Sequence, residues 1–247
     1  MSSDFFILCD ALKGVGEYPQ HQTMSRDGSY NYRAEDSVYR FASDRFMAIS
    51  PNLNSILLSS RVKLTDKISS VPIPWYVLIL SDRLLELLTH FHLPPYRIYP
   101  APVIHGKKRV SGYNAVHILT PPEYAQQVIF EKSKIWLTRG VGDSEKLEEL
   151  PITSADELEQ ACEKVRTALR YPYSVRAEYF FLQPEFLDRM DLFALPSKAF
   201  PAKFYISSDL RSAIEKEDCT GMRFVRRQDW EVGYMGGARW SCVLNLL

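Results

Sequence analysis

Five histidines and four cysteines are the residues best suited to metal binding or nucleophilic attack, and their spacing limits that chemistry. His90 and His92 stand two apart in "THFHL"; in an extended segment both would face one side. A zinc site needs convergent ligands in tight spacings such as C-x2-C. Cys9, Cys162, Cys219 and Cys242 form no such pair, so no metal is expected and the thiols are read as reduced, mostly buried side chains. At a helix end, His90 and His92 can simply meet the C-terminal dipole. His105 and His117 flank a proposed hairpin. Nucleophilic catalysis would want a serine or cysteine on a sharp turn, and no GxSxG occurs. Cys9, Cys162 and Cys219 each lie beside an acidic residue, which disfavours a thiolate. A Ser/His/Asp set assembled in space stays open, because triads need no sequence proximity. Phosphate loops need clustered glycines between strand and helix. Gly14 and Gly16 have no third glycine, and no helix pattern follows Gly236 and Gly237, so both pairs read as turns. No catalytic residue and no cofactor is assigned.

One electrostatic feature stands apart. Asp143, Glu145, Glu148, Glu149, Asp156, Glu157, Glu159 and Glu163 fall in one short segment whose single base is Lys146, a local balance of −7. The whole chain carries 30 basic and 30 acidic residues, a net charge of zero. A general nucleic-acid binder would show a basic excess, so no nucleic acid is expected. The acids suit either a solvated loop and helix face or a surface that docks a basic protein, since charge complementarity selects partners and speeds association. Asp143 to Glu159 are the candidate partner-binding residues. Trp75, Trp136, Trp230 and Trp240 are further candidate anchors, with core burial as the alternative.

The elements that must carry these residues follow from patterning. The length of 247 residues is ample for a real core, because a folded chain of this size buries most of the surface it would expose unfolded. "FFILCD" reads as a strand rather than a signal peptide, because no basic region precedes it. No apolar run is long enough to span a bilayer, so no membrane segment and a cytoplasmic location are expected. Residues 1–70 read as an N-terminal extension packed on a body formed by 71–247. In the body, Ser81 caps a helix over Asp82–His90, "YRIYPAPVI" is extended, and "YNAVHIL" returns beside it. A strand is placed around Ile129–Leu137. "SADELEQACEKVRTALR" is a helix with Ser154 and Glu157 as a capping box and Leu158, Ala161, Val165 and Leu169 as its buried stripe. Ser208 is placed as the cap of a last helix, with Leu210, Ala213 and Ile214 inward. Gly221 is set for a positive φ before the strand "MRFVRR".

"ILSDRLLELL" followed by "YRIYP" aligns with "ISSDLRSAIE" followed by "MRFVR". The pattern predicts an α+β fold, a mixed or antiparallel sheet with helices packed on it, containing two related strand–helix–strand units near 71–120 and 200–230.

The segment "DLFALPSKAFPAKFYISSDLRSAIEKEDCTGMRF", with "ILSDRLLELL", "YRIYPAPV" and "YNAVHIL", resembles a group of bacterial immunity proteins encoded beside polymorphic toxins, which contact-dependent or type VI secretion systems deliver. The resemblance covers roughly residues 71–230 through caps, turns and core strands. It implies a non-enzymatic role: binding and neutralising a cognate toxin protein in the producing cell and its kin. It carries over no binding residue and leaves the oligomeric state open. The alternative from the residues is a small hydrolase, or an enzyme reversing a toxin's modification, built on His90, His92, His105 or His117.

Overall fold

The computed structural model describes residues 5–25, 29–54, 56–140, 145–169, 172–197, 199–200 and 203–226, with the short pieces 234–235 and 238–239. In chain order the strands are β1 (Phe5–Asp10), β2 (His21–Thr23), β3 (Ile56–Leu58), β4 (Lys67–Ile68), β5 (Val77–Ser81), β6 (Tyr96–Pro100), β7 (Val103–His105), β8 (Lys108–Val110), β9 (Tyr113–Ile118), β10 (Lys134–Arg139), β11 (Glu145–Glu149), β12 (Tyr173–Tyr179), β13 (Leu192–Phe193), β14 (Phe204–Ser207) and β15 (Met222–Arg226). The α-helices are α1 (Asp82–Leu88), α2 (Ala155–Lys164), α3 (Pro184–Leu187) and α4 (Ser208–Lys216). The fold is α+β. Among the described residues, all paired strands are antiparallel except β3 with β7.

Two four-stranded sheets share one design. One runs β4-β5-β9-β6 and the other β13-β14-β1-β15. Their registers coincide. Ser81 pairs with Tyr113, and Ser207 with Phe5. Tyr96 pairs with Ile118, and Met222 with Asp10; Pro100 pairs with Asn114, and Arg226 with Phe6. The serines and both ends of the strand after each helix keep one offset of 126 positions (207 − 81, 222 − 96, 226 − 100). The repeated unit is therefore a whole sheet with its helix, larger than strand–helix–strand.

The two units close differently. In the first, β9 follows β6 after the β7–β8 hairpin and fills the sheet interior. In the second, the interior strand is β1, taken from the other end of the chain. Residues 1–70 are thus more than an extension laid on a body: β1 lies between β14 and β15, and β4 edges the first sheet. "FFILCD" suits this interior place because both of its alternating faces are apolar. Phe6 and Leu8 face the core shared with α1, α4 and the first sheet, which Leu84, Leu88, Leu210 and Ile214 fill. Phe5, Ile7 and Cys9 face the opposite core, with α2 and the sheet β11-β10-β12. The first sheet alternates in the same way. Val116 and Ile118 join the shared core, while Tyr113 and Ala115 face residues from the 24–62 segment.

Local details differ from the patterning in instructive places. The cap of α4 is Ser207, one residue before the expected Ser208; its Oγ accepts from the Leu210 amide at 3.1 Å, as Ser81 Oγ does from Leu84 at 3.3 Å. With Ser207 and Ser208 adjacent, the register of β14 settles which one caps. Ala213 is only half-buried, whereas Leu210 and Ile214 are buried. Most of the strand expected at Ile129–Leu137 moves later, to β10, because Phe130–Lys132 forms a 3-10 turn. The turn placed at "HGKKRVSG" holds β8. Past α2 the chain continues as a π-helical stretch, Val165–Leu169, and Leu169 is exposed rather than part of the stripe.

Candidate functional site

The acidic candidates divide between two elements. β11 carries Glu145, Glu148 and Glu149 on the edge of the sheet β11-β10-β12, and all five of its residues are exposed. Its pairing with β10 shifts register between Leu137 and Thr138, which twists the edge and leaves Leu147 exposed. Such charged, bulged edges resist uncontrolled strand pairing. The α2 helix begins after a short link (150–154) and holds Asp156, Glu157 and Glu159 on its exposed side, with Leu158 fully buried beneath. Asp143 lies outside the described residues.

These carboxylates are not equivalent. Glu145 receives two hydrogen bonds from Arg139, at 2.9 and 2.7 Å. Glu163 receives two from Arg166, at 2.8 and 2.6 Å. Glu157 is occupied structurally. Its carboxylate accepts the Thr153 amide at 2.7 Å and the Thr153 hydroxyl at 2.8 Å, and these bonds hold its pKa below the usual range. A capping box usually reaches back to the amide of the cap itself. Here the reach extends one residue further out, while Ser154 Oγ accepts from the Glu157 amide at 3.2 Å. Lys146 turns away from these acids to Glu178 and lies 5.5 Å from the Trp136 ring centroid. Burial pushes the Glu178 pKa up, but the bonds from Lys146 and Trp136 outweigh it and leave a net fall. Glu148, Glu149, Asp156 and Glu159 remain exposed with no ion-pair partner among the described residues. The balance of −7 overstates the free charge because Arg139 and Arg166, just outside the window, fold back onto it.

The histidines go to separate places. His117 is fully buried; its Nε2–H donates to the Ala42 carbonyl at 2.7 Å, and its Nδ1 has no hydrogen-bond partner among the described residues. His105 Nε2–H donates to the Val62 carbonyl at 2.9 Å. His90 is exposed, and His92 sits exposed against Asp191 at 3.2 Å. No group of three metal-type ligands occurs among the described residues. Cys9 is buried and Cys162 and Cys219 half-buried, and burial raises the Cys9 and Cys219 thiols; Cys242 lies outside the described residues. Trp75 and Trp136 are half-buried, while Trp230 and Trp240 also lie outside.

Patterning missed two aspartates that join the repeated units. Asp66 Oδ1 accepts from Ser81 Oγ at 2.8 Å and Asp66 Oδ2 from the Thr220 amide at 2.7 Å, while the Ser81 amide donates to the Asp66 carbonyl at 2.7 Å. Asp191 repeats this. Its Oδ1 accepts from Ser207 Oγ at 2.7 Å, its Oδ2 from the His92 amide at 2.9 Å, and its carbonyl from the Ser207 amide at 2.9 Å. Each aspartate therefore holds the cap of its own helix and the chain leaving the other unit's helix. Asp66 also takes Arg83 at 2.8 Å. Burial raises its pKa, but the bonds from Arg83, Thr220 and Ser81 dominate and bring it to about 2. An Asp ahead of each "SD", one strand earlier by spacing, was the available signal.

No protein-family model matches the chain, and no curated protein matches it significantly. No helix among the described residues is long and apolar enough to cross a membrane.

Proposed function

We propose that this chain is a cytoplasmic immunity protein, which binds a cognate secreted antibacterial toxin and neutralises it without chemistry of its own. The observation that carries the reading is the exposed acidic surface of β11 and the first turns of α2. It stands at the rim of a duplicated scaffold whose interior is committed to packing. Glu148, Glu149, Asp156 and Glu159 lack basic partners among the described residues, so they are free to meet a basic cleft on a toxin. Exposed charges of one sign accelerate encounter over a Debye length of about 8 Å in physiological salt.

The test is co-expression with the toxic domain encoded by the neighbouring open reading frame. Rescue of growth, with a complex of fixed stoichiometry, supports the reading; toxicity left untouched at full expression removes it. In the purified pair, Glu148→Lys with Glu149→Lys should slow association about tenfold and flatten its salt dependence. Glu157 is left intact because it caps α2. An unchanged on-rate in a folded variant would move the interface elsewhere.

A further inference from the structure

Where the first sheet meets β1, the chain gathers more positive than negative charge around a small cavity. Its volume is about 70 Å³, and Asp10, Lys67, Ser70, Trp75, Lys203 and Phe204 are in its wall. Lys67 is buried, with its side chain 9% exposed, and its Nζ donates to Asp10 Oδ1. Asp10 Oδ2 accepts from the Tyr18 hydroxyl at 3.4 Å, and the Asp10 carbonyl accepts from Arg223 Nε at 3.2 Å. Both carboxylate oxygens are therefore occupied. Lys203 has no hydrogen-bond or ion-pair partner among the described residues, yet its charge acts on both Cys9 and Asp10. Lys67 and Lys203 thus share the single carboxylate of Asp10, leaving one positive charge unbalanced in the cavity wall.

Charges taken out of water need counter-charges. We infer that this cavity is an oxyanion site, which receives the carboxylate or phosphate of a small ligand between Lys67 and Lys203, with Ser70 and the Trp75 ring beside it. Size limits the ligand. A dry cavity that admits benzene measures roughly 150 Å³. This one has less than half that volume, so it takes an anionic head group or a free small anion rather than a whole cofactor. The site is remote in the chain from the acidic surface and does not depend on the toxin reading.

The experiment is a titration of the full chain with orthophosphate and, separately, with acetate, chloride being exchanged to hold ionic strength constant. The expected result is a saturable rise in Tm of about 2–4 °C for at least one of them. Phosphate alone or acetate alone identifies the head group. Lys203→Met should abolish the rise, while Arg226→Met, which removes an exposed cation from the edge strand that carries Arg223, should keep it. Trp75 fluorescence should follow the same isotherm, and Trp75→Phe should lose that change. Neither anion giving a saturable shift would overturn the site, as would a rise that survives undiminished in folded Lys203→Met.

Discussion

His21 is fully buried, and its bonds fix its tautomer. Nε2 faces the Thr23 carbonyl at 2.9 Å and Nδ1 lies 2.8 Å from Ser70 Oγ. A carbonyl can only accept, so Nε2 carries the hydrogen and Nδ1 accepts from the serine. Burial lowers the His21 pKa to about 4. An unfolded chain would hold it near about 6.5, so the unfolded state binds more protons between these values. Stability from this residue is complete above about pH 6.5 and is lost as the pH falls toward about 4, by up to about 3 kcal/mol. Burial lowers the His117 pKa as well, so it acts in the same direction. Urea midpoints taken near neutrality and in mild acid check this: His21→Gln, which can still donate to Thr23, should show a smaller acid loss than the parent. None of this could be read from the lone histidine in "PQHQT", because its burial depends on Ser69 and Ser70 nearly fifty residues away.

At the scale of elements, the turn after α4 shows how local signals and packing combine. Gly221 has a φ of +92°, the left-handed conformation that patterning expected of it. A Cβ there would also overlap the Lys67 carbonyl oxygen, a clash between the two units that no local pattern carries. Gly14 has a φ of +79° but open space around it. Gly14→Ala should therefore cost about 1 kcal/mol. Gly221→Ala should cost several-fold more, because backbone must move. Thermal unfolding of the two variants compares strain alone with strain plus clash. The helix caps were legible to within one residue, since Ser-Asp before an apolar stripe has a direct mechanism. The strand β8 and the 3-10 turn at Phe130–Lys132 were not, since short elements leave little periodicity to read.

For the whole molecule, the two aspartates tie each helix cap to the segment leaving the other helix, so the repeat is held together reciprocally. Asp66→Asn keeps the shape but removes the charge facing Arg83, Ser81 and Thr220. It should cost about 1–3 kcal/mol by urea denaturation at neutral pH. The parent carboxylate is held at about 2 when folded. Its ordinary value is near about 3.9, so its contribution is present above that pH and is lost as the pH falls toward the folded value. The difference between parent and variant should therefore shrink over that same window.

By itself the sequence determined the capped helices, because a cap rests on contacts within a few residues, and its patterning pointed to the α+β class and to two related strand–helix–strand segments. It also located the acids of β11 and α2. The tertiary structure alone decided that β1 completes the second sheet from the far end of the chain, and which acids stay free once Arg139 and Arg166 pair. It alone gathers Asp10, Lys67 and Lys203 at one cavity. The β1 pairings and the cavity join residues far apart in the chain, and the acid pairings depend on how β10, β11 and α2 fold. There, register and burial choose the partner, and no local spacing records the choice.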